Sequence, residues 1–262
     1  MRRFVVEVFA RHRGLGLVGG LNLAAAGAFL LLMLVDETTV LGINRWIKPF
    51  KFAMSVGIYV WTVAWFLPYL RIGKRIASLL GWAIAIVMLF ENGLIFLQAI
   101  RGTASHFNTA APFDETVFAL MGVMILFNSI FVVVLLLLFL LRPADAPRPW
   151  IWSIRIGLFL LLLGSAQGAY MIGAGGHSVG APDGGPGLPV VHWQTDAGDL
   201  RPAHLIGLHG VQLIPLFAWG LGRTRLSEKR QLALVFAVSA AYALIGVALF
   251  WQATRGMPLL PI

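Results

Sequence analysis

The segment "RPAHLIGLHGVQLIP", Arg201 to Pro215, places two histidines and a glutamine in a run otherwise apolar enough to enter a bilayer. Neutral imidazole ligates zinc, copper, iron or nickel, and catalytic zinc commonly takes three protein ligands and a water. His204 and His209, joined by His106, supply three such nitrogens, and Glu91 adds a carboxylate as a further ligand or general base. His204, His209 and Gln212 fall within an arc of about 140° at 100° per residue, so one helix can turn all three inward. The two histidines are not at the i, i+4 spacing of a ready-made helical ligand pair, and no HExxH motif occurs. A shared metal centre therefore needs an unwound helix end, or different roles for the two histidines.

A second polar set lies in "LFENGLIFLQAIRGTASHFN". Glu91 is roughly 13 Å below the outer end of its span at ~1.5 Å per residue. An ionisable carboxylate at that depth marks a functional site by default. Gln98 shares its helical face, and Arg101 and His106 follow outward. A third set opens "RWIKPFKFAMSVGIYVWT": Lys48, Lys51, Ser55, Tyr59 and Thr62 lie within about 80° of one another on a helical wheel. Lys51 can contact an anion or balance Glu91. Gln167 and Asn128 bring polar groups to similar or greater depth in two further spans. Together these residues predict an outward-opening polar cavity bounded by the second, third, fifth and sixth spans.

The elements that carry these residues follow from composition. Of 262 residues, 59% are hydrophobic and 12% charged. Soluble domains are about 45–50% apolar and carry roughly twice that charge. The chain is therefore expected to be a polytopic membrane protein, all-α, with seven transmembrane helices in one domain over 1–262. Each span needs roughly 20 apolar residues, and candidates occur at about 15–35, 50–70, 76–100, 116–141, 151–173, 203–222 and 231–251. The N-terminal apolar run lacks a small-residue cleavage site after it, so it reads as an uncleaved first span rather than a signal peptide.

Fourteen of the 20 lysines and arginines flank the N-terminus and the 71–75, 142–155 and 223–230 loops, against six on the opposite side. The positive-inside rule then puts the N-terminus in the cytoplasm and the C-terminus outside, with a long external loop at 174–202. In that loop's "GDLRPAH" closure, Asp199 reads as an N-cap. No internal repeat is evident, and that weighs against the usual two-half transporter.

Several classes fall away. Absence of cysteine removes disulfides, thiolate catalysis and cysteine-bound metals. The net charge of +9 resides in loops between spans, so it implies no nucleic acid. The last span has no lysine for a retinal Schiff base, and neither a P-loop nor a nucleophile elbow is present.

The expectation is an integral protein of a bacterial-type inner membrane that takes a small molecule or ion from the external side. Glu91 and His209 are the catalytic candidates, and His106, His204 and His209 the metal ligands, with zinc ahead of haem. Lys51, Gln98, Arg101, Gln167 and Gln212 are the ligand-binding candidates. The leading reading is a metal- or small-ligand-binding protein, extending to a metal-dependent enzyme. The alternative is a proton-coupled transporter using Glu91, His209 and Lys51 as a relay, or a redox protein contacting haem or quinone. A non-catalytic structural or assembly subunit is the third.

Overall fold

A computed structural model describes residues 2–260. The protein is an all-α polytopic bundle, and among the described residues seven helices are long and apolar enough to cross a membrane. Its helices are α1 (Arg2–Arg11), α2 (Arg13–Val35), α3 (Ile47–Phe66), α4 (Lys74–Ile100), α5 (Pro112–Leu141), α6 (Arg148–Ala174), α7 (Arg201–Leu221) and α8 (Glu228–Thr254). Two antiparallel ribbons interrupt them. β1 (Thr39–Val40) pairs with β2 (Ile43–Asn44), and β3 (Ser178–Val179) with β4 (Gly198–Asp199). The chain divides into two compact units, Met1–Phe131 and Val132–Ile262, with the boundary inside α5.

In the first unit, α2 and α3 meet through small residues, as helices do when only van der Waals packing holds them together. A Cβ on Gly57 would lie 2.9 Å from Leu23 and 3.2 Å from the Gly19 carbonyl, and one on Gly19 would overlap Trp61 at 2.2 Å. The Trp61 indole donates to the Gly16 carbonyl at 3.1 Å across the same contact. α4 closes the unit, its Asn92 amide donating to Asn22 of α2 and to the Phe52 carbonyl of α3. α1 is a separate helix ahead of the first span. Phe4 stacks on Trp65 at 5.3 Å, and the Arg11 guanidinium lies 3.9 Å over the same ring. His12 caps α2: its Nδ1 accepts from the Leu15 amide and its Nε2 donates to the Ser78 carbonyl, both at 3.1 Å.

In the second unit, α6 and α7 are closer still. A Cβ on Gly207 would lie 2.5 Å from the Gly164 Cα, and one on Gly157 would lie 2.9 Å from the Val211 Cα and 3.1 Å from the Gly210 carbonyl. α8 closes this unit with the Tyr242 hydroxyl donating to the Ile206 carbonyl at 2.7 Å. Leu160, Ile214, Ala218, Leu221 and Val235 form its buried apolar cluster.

The two units repeat one plan, which corrects the expectation of no internal repeat. Each runs helix, two-residue ribbon, helix with a proline in its first turn, and closing helix. The middle helices open "KPFK" and "RPAH", and a glycine follows eight residues after each proline, Gly57 and Gly210, at the crossing with the preceding helix. The closing helices α4 and α8 are both 27 residues long. Both end Gln-Ala-x-Arg-Gly, at Gln98–Gly102 and Gln252–Gly256. Gly102 and Gly256 adopt φ of 70° and 73°, a left-handed conformation glycine takes without steric cost. Each helix then stops through the same pair of bonds: Thr103 to the Gln98 carbonyl and Gly102 to Ala99, Met257 to Gln252 and Gly256 to Ala253. Each ribbon docks on that helix end, through Arg45 to the Ile100 carbonyl in one unit and Gly198 against the Ala253 carbonyl in the other. The repeat escapes a sequence reading because lipid-facing positions need only be apolar. Identity persists at the caps and crossings while the intervening loops differ in length.

Candidate functional site

The first unit holds a buried carboxylate within a span. Glu91 is 2% exposed in the middle of α4, and its Oε2 is a buried oxygen with no hydrogen-bond partner among the described residues. Buried polar atoms in native structures are nearly always satisfied, so such an orphan calls for an explanation. Lys48 of α3 is the cation whose charge acts on it. Lys51 follows one turn along α3, half-buried. The neighbouring Asn92 is fully buried, and its Oδ1 is likewise without a partner among the described residues. Asn92 and Asn22 are polar groups that sequence reading passed over, although "EN" beside a buried carboxylate is a usable signal.

Gln98 and Arg101 are used differently from expectation. Gln98 is fully buried, its amide donating to Asp114 at 2.9 Å and its oxygen accepting from Arg101. Arg101 pairs with Asp114 and stacks over Phe113 at 4.4 Å. The three form a clasp that fastens the start of α5 to the end of α4. Asp114, whose "PFDE" context signals a first helical turn, supplies the carboxylate that sequence reading left out. Tyr59, in the predicted polar stripe, donates to Asn128 at 3.0 Å within the interior.

His106 belongs to this same unit, in an aromatic setting with ring centroids of Phe52 at 5.7 Å and Phe118 at 6.1 Å. Ser105 Oγ lies 3.1 Å from its Nδ1.

His204, His209, Gln167 and Gln212 belong to the second unit. The His204 Nδ1 donates to the Gly164 carbonyl of α6 at 2.7 Å, and the ring fills the space over Gly168, where a Cβ would lie 3.0 Å from Cε1. That is an interhelical bond of the kind polar residues in spans provide. His209 lies on α7 with Gln212 one turn along. The side-chain oxygens of Gln167 and Gln212 are buried without partners among the described residues. Among the described residues, no three histidine, aspartate or glutamate side chains gather as metal ligands.

The segment between α6 and α7 is built on two carboxylates. Asp183 accepts the Ser178 amide at 2.9 Å and pairs with His177 at 3.2 Å. Asp199 accepts the Gln194 and Arg201 amides, each at 2.9 Å, and the Arg201 guanidinium. Burial opposes its charge, but Arg201 and these amides outweigh burial and hold the carboxyl below the usual range. Asp199 is therefore not the N-cap of α7. The cap position is Leu200, without a side-chain bond, and Asp199 reaches past it from β4 to the Arg201 amide. In the first ribbon Asn44 does the same for Trp46 at 3.0 Å. There Asp36 accepts from Thr38, Trp46 and Arg45, contacts that keep its carboxyl well below the ordinary range.

Comparison with protein-family models, with curated proteins and with solved structures finds no match to this chain.

Proposed function

We propose that this integral membrane protein is a carrier of a small polar solute, taken from the external side of a bacterial-type inner membrane. The observation that supports this reading is the duplication: two three-helix units of one plan, separated by the single helix α5. Secondary carriers are commonly built from such internal repeats, parallel ones included, because alternating access needs two similar bodies that rock or gate. The repeat also removes the main argument against transport. Glu91 and Asn92 in the first unit, and Gln167 and Gln212 in the second, supply buried polar atoms to meet a solute that lipid would exclude.

The test is uptake by proteoliposomes of labelled amino acids, sugars and small carboxylates, with a pH gradient of either sign. Accumulation of at least one class above protein-free vesicles is expected. No uptake of any class under either gradient would sink the reading. Elemental analysis and an absorption spectrum of the same preparation check the rival reading. Stoichiometric zinc or a haem band would return His106, His204 and His209 to a metal- or haem-binding role.

A further inference from the structure

The repeat provides an internal control for Glu91. α4 and α8 have equal length and end in the same cap, so residues pair along them without a gap. Glu91 pairs with Ile245, and Asn92 with Gly246. The second unit completes the same three-helix arrangement with an isoleucine at this position, 54% exposed, and a glycine beside it. The interhelical bond that Asn92 makes to the Phe52 carbonyl is replaced in α8 by the Tyr242 hydroxyl on Ile206. Neither the fold of the unit nor its closing hydrogen bond therefore requires a carboxylate there. Ionisable groups in spans are costly and persist where they serve a pathway.

We infer that Glu91 is a proton-exchanging site confined to the first repeat, taking up a proton on Oε2 and releasing it to water, with Lys48 balancing the carboxylate when the proton is gone. The geometry selects a proton over a metal ion. A hard metal cation takes about six or more oxygens, and Lys48 already brings positive charge to this carboxylate. A proton needs one oxygen, and Glu91 presents one unpartnered. The cost of leaving Oε2 unpaired falls when that oxygen carries a proton, because the acid is neutral.

The elements packed against α4 carry few ionisable side chains. α3 brings Lys48, Lys51 and Tyr59, whose hydroxyl is engaged by Asn128. α2 brings Asn22 and no ionisable side chain beyond Arg13. The turn Leu67–Tyr69 brings Tyr69, and α5 meets α4 at Asp114, which Gln98 and Arg101 occupy. Coupling this proton to a solute rests on the transport reading, whereas proton binding does not.

The experiment is isotope-edited infrared spectroscopy of the whole protein in nanodiscs, with labelled glutamate carboxyls, titrated across pH. The other four glutamates, Glu7, Glu37, Glu115 and Glu228, are exposed, so a buried carboxyl signal is assignable even without a variant. A carboxylic C=O band that titrates in the wild type, disappears in Glu91→Gln and is indifferent to exchange of potassium for sodium is the expected result. A band that never titrates overturns the inference, as does one displaced by sodium. It also fails if Glu91→Gln lowers the thermal midpoint with no titrating band in the wild type, because that marks a structural ion pair. If Glu91 titrates but no solute moves, the proton site stands and the carrier fails.

Discussion

Asp199 shows how one side chain can organise the close of a long loop. It ties β4, the Gln194 turn and the first turn of α7 together through five hydrogen bonds from two residues. Its carboxyl is held below the usual range, so folding gains from its charge at any pH above the unfolded value of about 3.9. That gain is lost as pH falls below it toward the depressed folded value. Hydrogen exchange should therefore show the 175–200 segment opening below about pH 4, with the helices still protected. Asp199→Asn should open it at neutral pH, and an unchanged exchange pattern would refute this account. The sequence shows Asp199 beside Arg201 but not Gln194, whose amide arrives through the loop's own fold. Gln98 is a parallel case. Its depth in the span suggests a ligand contact, but its partners Asp114 and Arg101 become visible only when α5 is placed.

At the scale of elements, glycine decides where helices cross. A Cβ on Gly164 would meet the backbone of Gly207 and Leu208 at 2.8 and 2.6 Å, where no side chain can rotate away. Gly164→Ala should force α6 and α7 apart and cost about 1–3 kcal/mol, the range for overpacking, lowering the thermal midpoint in detergent. A Cβ on Gly27 would have nothing within 4 Å, so Gly27→Ala should hold or raise the midpoint by the helix propensity gain of about 1 kcal/mol. Equal effects of the two would refute the crossing role. Seven hydrophobic runs are legible in the sequence because lipid demands about 20 apolar residues per span whatever they pack against. The crossings are not legible, since glycine in an apolar run looks the same on a lipid face as at a contact. The two-residue ribbons are too short to leave any periodicity.

At the scale of the whole molecule, the basic loops and the duplication make one topological prediction. If α5 is the single span that separates two units threaded alike, the loops at 71–73 and 222–227 lie on the cytoplasmic side and the 101–111 and 174–200 loops outside. The chain has no cysteine, so single cysteines report cleanly. Thr109→Cys should react with an impermeant maleimide in intact cells. Ser227→Cys, at a cap position without a side-chain bond, should react only after lysis. Both reacting from the same side would overturn the threading.

The sequence alone determined the class of the protein and the number and place of its spans, because solvent sets those quantities. Lipid excludes unsatisfied backbone and charge whichever helices are neighbours. Tertiary structure decided which partners several of the polar residues have. It turned His204 into a bond to the Gly164 carbonyl and Gln98 into a clasp for α5, and it left Glu91 with an oxygen unpaired. It also exposed the duplication, since identical caps and crossings declare themselves only when helices of unlike sequence are seen to follow one plan. The physical reason is that a polar atom's role depends on its partner. For His204 that partner lies on another helix, and for Gln98 it includes Asp114 at the start of the next one.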